Sequence, residues 1–497
     1  MDYRALGTAA SGRLRPFVFS ASNLLILLLV TLPVTMGGAD LVVDRWFTTE
    51  ADFTSWAFYR GQIADSALLY FGALLGGLLA VFTIPRLLNR FLEPDRVYPL
   101  YGRHFAIQRV IARLTNLRAL TYLFGDSSYI VHYLRGLGYD LSEVQQTGSN
   151  FGVEIKHETP FLSTVGSGTM VSDGLSLLNA DYSASSFRLR RASVAPQAFL
   201  GNEIGYPPGA MVGRNCLLAT KVLVPLDGPV RENVGLLGSP AFEIPRTVRR
   251  DTGFEHLGTG DALRRGLLAK NRHNTATMLV YLLVHWVQLL GVLVIGTAAS
   301  ALHARFGFLA VGGGIVATLL FSVSFLVLAE LGVQGFRSLR PRFCSIYDPV
   351  FWRHERFWKL SPGRYLTLFD GTPFKNVLWR CLGVRIGRRV FDDGCAIPEK
   401  SLVSIGDDCV LNLHTVLQAH SLEDGTFKSD HIVIGAACTL GTGAFVHYGV
   451  TMGEGAIAEA DAFVMKGTAA PPRTRWHANP AVELDLAHEI TAARRLP

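Results

Sequence analysis

The feature that most constrains the fold of this chain is a six-residue period near its C-terminal end. Aliphatic or small side chains recur at every sixth position, and glycine follows several of them. The repeating positions are Ile434, Leu440, Val446, Met452, Ala458 and Val464. An α-helix does not repeat every six residues and neither does a sandwich strand, whereas a triangular coil of three short strands points one side chain inward per strand. The period therefore predicts a β-helix.

An earlier region repeats the same plan less regularly. The six-residue spacings there join Val165, Val171 and Leu177, then Val194 and Leu200, and then Val212, Leu218 and Val224. The gaps in this pattern, at about 179–193 and 202–211, are expected to be loops that project from the coils. We therefore predict that residues 148–245 and 384–481 each form a left-handed parallel β-helix.

A second sign of duplication precedes both regions. The segment Tyr133–Gly138 resembles Leu378–Gly383, and each is predicted to lie in an amphipathic helix that leads into the β-region. The second β-region closes with the turn Arg475–Ala481, after which a short helix is expected from about Val482 to Arg495. The chain is thus interpreted as two copies of one unit.

Four apolar stretches are long enough to cross a bilayer, which takes about 20 helical residues. They span residues 17–39, 63–84, 277–302 and 306–332, in a chain that is 49% hydrophobic. The predicted fold class is membrane α-helical hairpins plus all-β, with four transmembrane helices and two left-handed parallel β-helix domains. The predicted divisions are an N-terminal segment at 1–16, a first hairpin at 17–84, the first soluble domain at 85–260, a second hairpin at 277–332 and the second soluble domain at 333–497.

Charge placement orients these spans, because arginine and lysine are enriched on the cytoplasmic side. Basic residues precede the first and third spans and follow the second and fourth, whereas the link between the first two spans is mostly acidic. We therefore expect a multi-pass protein of the cell (inner) membrane, with both termini and both β-helix domains in the cytoplasm. The net charge of +7 is assigned to membrane lipid and not to nucleic acid, because no basic and aromatic interleaving is present. No metal is expected, since the six cysteines show no CxxC spacing.

Six further stretches carry a resemblance to a known family. They are Gly148–Gly152, Gly166–Gly174, Gly228–Gly235 with Leu237–Pro245, Asp370–Phe374 and Val464–Gly467. Together with the layout, they resemble the membrane-embedded C-terminal half of ε-poly-lysine synthetase-like nonribosomal peptide synthetases, with hexapeptide-repeat acyltransferase domains. In that group, an adenylation domain loads an amino acid onto a carrier, and the tandem domains join the resulting thioester to an amine.

The resemblance implies an acyltransferase that forms an amide bond. The sequence shows no adenylation region and no carrier motif, so a stand-alone adenylation–carrier protein is the expected partner, along with an amine or amino-acid acceptor. The donor is expected to be a phosphopantetheine-linked (carrier) or CoA thioester, with no covalently bound cofactor. The family's polylysine enzymes have three soluble repeats where this chain has two. A homo-oligomer is a further possibility.

Thioester aminolysis needs a base that removes a proton from the attacking amine. The segment Leu417–Asp424 resembles a family segment and interrupts the six-residue count, so we expect it to form a protruding loop. His420 is the predicted base, with Glu423 or Asp424 as the carboxylate that orients it. Two other polar residues of the second β-helix, Asn412 and His414, complete the catalytic candidates.

The first domain lacks this histidine, because Ala180 stands at the position opposite His420. Either His157 serves a second active site, or the first domain binds substrate without catalysing. We predict the latter, with His157, Asp173, Asn179 and Asn202 as substrate-binding candidates.

The sequence is also compatible with two other functions. One is an acetyl-CoA-type O- or N-acetyltransferase that acts on a cell-envelope or lipid-linked substrate. The other is a non-catalytic membrane platform that assembles a synthetase.

Overall fold

A computed structural model describes residues 14–46, 52–142, 152, 154–247, 253–361, 363–423 and 425–484. Four helical stretches within these residues are long and apolar enough to cross a membrane: Leu14–Gly38, Trp56–Asn89, Gly260–Phe306 and Phe308–Val333. Each predicted span falls on one of these helices, except that the first span extends one residue past the end of its helix and the fourth begins two residues before its helix. The chain therefore has the four candidate membrane helices that its sequence predicts.

Ten α-helices lie in the described residues. They are α1 (Leu14–Ile26), α2 (Leu32–Trp46), α3 (Trp56–Asn89), α4 (Arg103–Thr115), α5 (Arg118–Phe124), α6 (Ile130–Leu137), α7 (Gly260–Phe306), α8 (Phe308–Val333), α9 (Pro349–Leu360) and α10 (Pro373–Cys381). A π-helical turn, Leu27–Thr31, joins α1 to α2.

The first soluble region contains fourteen short strands among the described residues. They are β1 (Val97–Pro99), β2 (Asp140–Leu141), β3 (Lys156–His157), β4 (Ser163–Val165), β5 (Met170–Val171), β6 (Ser176–Leu177), β7 (Ala180–Tyr182), β8 (Ser186–Leu189), β9 (Ala192–Val194), β10 (Phe199–Leu200), β11 (Gly205–Tyr206), β12 (Leu217–Leu218), β13 (Val234–Leu237) and β14 (Phe242–Pro245).

The second region contains seventeen strands in its described part. They are β15 (Arg342–Ser345), β16 (Arg385–Ile386), β17 (Phe391–Asp392), β18 (Val403–Ile405), β19 (Val410–Leu411), β20 (Val416–Gln418), β21 (His420–Glu423), β22 (Thr426–Ser429), β23 (Ile432–Ile434), β24 (Thr439–Leu440), β25 (Phe445–His447), β26 (Thr451–Met452), β27 (Ile457–Ala458), β28 (Phe463–Val464), β29 (Ala469–Ala470), β30 (Arg475–His477) and β31 (Val482–Glu483).

Consecutive strands of the second region go to three different parallel sheets. The sheets run β16-β18-β23-β26-β29, β17-β19-β24-β27-β30 and β20-β25-β28. Ile434 pairs with Met452, and Leu440 pairs with Ala458, so the chain returns to the same sheet after three six-residue steps. The six predicted inward positions are all buried in one continuous core. This register is the one that a triangular coil requires.

The first region has the same three parallel ladders, β2-β4-β9, β5-β10-β12-β13 and β3-β6-β11. The loop predicted at 202–211 is wrong, since β11 continues the third ladder there. The inward position of this strand is occupied by Tyr206, which is buried among Leu200, Val212 and their neighbours. An aromatic residue at an aliphatic position concealed the period.

The other interruption, at 179–193, holds an antiparallel hairpin of β7 and β8, and β21 and β22 form its counterpart in the second region. Each hairpin gains a third strand from the chain that follows a candidate span, β1 in one copy and β15 in the other. The predicted protrusion at Leu417–Asp424 is therefore strand β20 followed by a hairpin.

The amphipathic helices predicted before each β-region are α6 and α10. Each is followed within two residues by a glycine with a positive φ angle, Gly138 at 124° and Gly383 at 97°. Glycine enters this backbone region without steric cost. The helix predicted from Val482 begins instead as strand β31, which pairs antiparallel with β30. The rest of that prediction, from 485 onward, lies outside the described residues.

Buried ion pairs tie the second pair of candidate spans to the soluble part of the chain. Lys400 Nζ lies 2.6 Å from Glu330 Oε1 at the end of α8, and Lys270 Nζ in α7 lies 2.8 Å from Glu355 Oε1 in α9. All four side chains are almost fully buried. Removing one partner of such a pair would leave an uncompensated charge in an apolar site. These pairs therefore fix where α9 and the coils sit against α7 and α8.

The two soluble regions pack directly against each other. Leu237 of the first region forms a buried cluster with Phe445 and Phe463 of the second. Polar contacts border this cluster: Asn202 Nδ2 donates to Gln418 Oε1 at 3.0 Å, and Asn479 Nδ2 donates to the Lys221 carbonyl at 3.1 Å. The contact brings the β10–β13 face of one region against the β20-β25-β28 sheet of the other.

Candidate functional site

The predicted base, His420, is the first residue of hairpin strand β21 and sits where the hairpin leaves the coil. Its ring packs against the Trp358 ring of α9, with a centroid separation of 4.5 Å, and faces Phe427 from the partner strand at 6.1 Å. Its Nδ1 lies 2.8 Å from Glu399 Oε1. The histidine is thus held between two aromatic rings and a carboxylate.

Glu399 is fully buried, and polar hydrogens surround its carboxylate. Oε1 accepts from Trp358 Nε1 at 2.6 Å and from His354 Nε2 at 3.3 Å, and Oε2 accepts from the Ala419 amide at 3.1 Å. Burial raises the pKa of the Glu399 carboxyl, but the charge of His420 and the hydrogen bond from His354 outweigh burial and hold that pKa well below its usual range. Glu399 is therefore ionised beside His420.

The carboxylate in contact with His420 is thus Glu399, and the predicted orienting role of Glu423 is corrected. Glu423 Oε2 lies 2.6 Å from Lys466 Nζ and 3.5 Å from Lys428 Nζ. The two ends of strand β21 therefore have different partners, Glu399 for His420 and Lys466 for Glu423. Asp424, the other predicted partner, lies outside the described residues.

A cavity of about 190 Å³ opens at the contact between the two soluble regions, and His420 lines it. The second region also contributes Glu423, His447 and Lys466. The first region contributes two of the predicted substrate-binding residues, Asp173 and Asn202. Residues that are more than 200 positions apart in sequence therefore meet around one histidine, and both regions are needed to form this cavity.

Two of the other catalytic candidates lie away from this cavity. Asn412 Nδ2 donates to the Leu440 carbonyl of the next coil at 2.8 Å, a stacking contact within the coils. His414 is exposed at a coil corner, with a positive φ angle of 60°. Neither side chain lines the cavity that His420 lines.

The remaining candidates of the first region, His157 and Asn179, are buried and hydrogen-bonded. His157 Nδ1 contacts the Tyr139 hydroxyl at 2.8 Å, and its Nε2 contacts the Thr115 hydroxyl at 2.9 Å. Asn179 Nδ2 donates to the Leu162 carbonyl at 3.0 Å. His157 borders a separate cavity of about 270 Å³ beside α4 and does not line the cavity with His420.

Burial gives His157 a testable effect on stability. It lowers the pKa of His157 to about 3, whereas an unfolded histidine titrates near 6.5. Between these values the unfolded chain binds a proton that the folded chain does not, so stability falls as pH decreases. We expect the melting temperature of His157→Gln to fall less than that of the wild-type chain between about pH 7 and pH 4. Fluorimetric melting across pH measures this, and parallel curves would contradict it.

Glu399 itself was missed by the sequence analysis. Aligning Val165-Gly166 with Ile405-Gly406 places Thr159 opposite Glu399 and Ala180 opposite His420. Both members of the pair are therefore absent from the corresponding place in the first region. There the neighbouring Glu158 accepts the backbone N–H of Asn179, much as Glu399 accepts that of Ala419. Comparing the two copies residue by residue would have drawn attention to Glu399.

Comparison with known proteins gives one similar curated sequence. No protein-family model matches the chain. Over 425 residues it is 24% identical to the delta-poly-L-ornithine synthetase of Acinetobacter baumannii, a match that covers 84% of this chain and 31% of that protein. The chain thus spans about a third of the relative's length. The resemblance to poly-amino-acid synthetases stated from the sequence is confirmed.

Similar solved structures are acetyltransferases. A hexapeptide-repeat-containing acetyltransferase from Vibrio cholerae is 20% identical and matches 24% of this chain and 86% of its own, with a TM-score of 0.22. Soybean serine acetyltransferase is 17% identical and matches 46% of this chain and 90% of its own, with a TM-score of 0.20.

Proposed function

We propose that this chain is a membrane-bound aminoacyl or acyl transferase that forms an amide bond from a thioester donor and an amine acceptor. The observation that carries the proposal is His420, which lines a cavity that two soluble regions close together and contacts the buried carboxylate of Glu399. A histidine beside a buried, ionised carboxylate is the arrangement expected of a general base. The similar delta-poly-L-ornithine synthetase supports amide-bond chemistry for this chain.

The reaction that this site suits is aminolysis. The acceptor nitrogen attacks the thioester carbonyl carbon, and a C–N bond forms. Since Nδ1 of His420 faces Glu399, Nε2 is the nitrogen that takes the proton from the attacking amine. The C–S bond then breaks, and the leaving sulfur receives that proton. Glu399 stabilises the imidazolium formed in between, as a buried carboxylate does in other base-catalysed acyl transfers.

The developing oxyanion needs a hydrogen-bond donor, and we assign His447 to this role. His447 lines the same cavity, and burial lowers its pKa well below the ordinary value. It is therefore neutral and keeps one ring N–H to donate. Lys466, paired with Glu423, places a charged group on the same wall for the polar ends of the substrates.

We further propose that both soluble regions are left-handed β-helices and that they divide the work. The second region supplies the base, and the first supplies Asp173 and Asn202 as substrate-binding groups. The division of roles is supported by Ala180 and Thr159 of the first region, which stand opposite His420 and Glu399. Neither residue can act as a base or as a carboxylate. A separate adenylation–carrier protein would deliver the donor thioester.

The reaction can be tested with small donors. The chain, purified in nanodiscs, is given ornithyl-pantetheine thioester and free ornithine, and amide product is followed by mass spectrometry. We expect ornithyl-ornithine only with intact enzyme. Acetyl-CoA with the same acceptor forms a second arm, and N-acetyl product alone would favour the acetyltransferase alternative. If neither a panel of aminoacyl-pantetheines nor acetyl-CoA gives any product, a non-catalytic platform that assembles a synthetase becomes the better supported function.

The proposed topology places both soluble regions in the cytoplasm. In a Cys381→Ser background, which removes the one exposed cysteine of the six, the two test substitutions are Asp52→Cys and Asp461→Cys. We expect a membrane-impermeant maleimide to label the first variant in intact cells and the second only after lysis, because the arginine-flanked ends stay inside. Labelling of the Asp461→Cys variant in intact cells would overturn this orientation.

A further inference from the structure

A second and larger cavity lies where α8 meets the soluble part of the chain. Its volume is about 980 Å³, and it begins at Val333 and Gln334, at the end of the fourth candidate span. Helix α9 and hairpin strand β22 close its other sides through Phe357 and Phe427. The cavity thus extends from the end of a candidate membrane helix to the neighbourhood of the hairpin that carries His420.

Four arginines line this cavity: Arg337, Arg340, Arg342 and Arg353. They come from three places, the segment after α8, strand β15 and helix α9. Within the described part of the chain, none of the four forms an ion pair with a carboxylate. Guanidinium groups that converge on one space without a carboxylate are suited to a phosphate, which arginine binds through two parallel hydrogen bonds.

The rest of the lining is apolar. Val333, Leu339, Val350 and Phe357 contribute aliphatic and aromatic surface beside the guanidinium groups. A free inorganic phosphate would leave that surface bare, whereas a phospholipid carries an anionic headgroup joined to apolar chains. Basic pockets next to the cytoplasmic ends of membrane helices are typical places for anionic headgroups.

We propose that this cavity binds the phosphodiester headgroup of an anionic membrane phospholipid. The proposal rests on the membrane insertion proposed above but not on the transfer reaction, so it can fail or hold independently of that reaction. His354 lines this cavity, and its Nε2 donates to the Glu399 carboxylate that also contacts His420. A bound lipid would therefore lie one residue away from the catalytic pair.

The test measures lipid retention without any substrate. The full chain is placed in nanodiscs of equal parts phosphatidylglycerol and phosphatidylcholine and then extracted into a neutral detergent, and native mass spectrometry counts the lipids that stay bound. We expect retained phosphatidylglycerol in excess of phosphatidylcholine. The double variant Arg342→Gln/Arg353→Gln should retain it with roughly thirtyfold weaker affinity, the effect of losing two basic contacts.

The matched control is Arg90→Gln/Arg103→Gln, two exposed arginines that follow the second candidate span. This control variant should retain phosphatidylglycerol like the wild-type chain. If the cavity variant Arg342→Gln/Arg353→Gln does not fold, the single cavity substitution Arg340→Gln takes its place. Equal retention by the cavity and control variants would overturn the proposal, as would a wild-type chain without a preference for phosphatidylglycerol. Coenzyme A tests a soluble phosphate source: arginine-dependent binding of coenzyme A without lipid retention would also overturn it.

Discussion

Replacing His420 by alanine is expected to lower the rate of amide formation by about 10²- to 10⁴-fold, the usual contribution of a positioned base. Without Nε2, the attacking amine keeps its proton as the C–N bond forms, and the tetrahedral intermediate returns to reactants. Substrate affinity should change little, since the imidazole acts on the reacting atoms. The measurement is kcat and KM for ornithyl-pantetheine and ornithine with each variant in nanodiscs.

His431→Ala is the matched control, because His431 is an exposed histidine just beyond the same hairpin and does not line the cavity. It should keep the wild-type rate. The melting temperature of His420→Ala should fall, because the buried carboxylate of Glu399 loses a neighbouring charge, but the variant should remain folded at the assay temperature. A folded His420→Ala variant with near wild-type activity would show that another group removes the proton. If His420→Ala keeps its activity and His157→Ala is inactive, the first region is the one that catalyses the reaction.

The coils were the part of the fold most open to prediction. A six-residue period constrains every inward position, and the parallel ladders of the second region follow from it residue by residue. The period failed where one inward position is aromatic, at Tyr206, because a hydrophobic pattern counts residue type and not the space available inside the coil. The hairpins were expected only as interruptions, since their strand pairing depends on a third strand from a distant part of the chain.

The site was only half predictable for a related reason. His420 stood out because imidazole is chemically distinctive and interrupts the repeat. Glu399 lies 21 positions earlier in the sequence. It reaches His420 because the chain returns one coil later, where Val416 pairs with Ala396, and because Trp358 of α9 contacts both side chains. Sequence proximity favoured Glu423, which the structure pairs with Lys466. The cavity between the two regions was unpredictable, since it depends on how two separately coiled regions pack.

The corrected pairing leads to the second large expected effect. Glu399→Gln should lower kcat by about 10²-fold with little change in KM. The amide is nearly the same size as the carboxylate, and its oxygen can still accept from Trp358, but it lacks the negative charge that stabilises a protonated His420. Glu423→Gln, which removes a charge paired with Lys466 in the same cavity, should change KM more than kcat. The same ornithyl-pantetheine assay measures both variants.

A purely structural role for Glu399 would predict something different, and a double variant separates the two. If Glu399 acts through His420, then Glu399→Gln should slow the His420→Ala enzyme little further, because residues that work as a unit give strongly non-additive effects. If Glu399 only supports the fold through Trp358 and Ala419, the two losses should multiply, and the melting temperature of Glu399→Gln should fall along with the rate. Full activity of Glu399→Gln together with an inactive Glu423→Gln would restore the pairing first expected from the sequence.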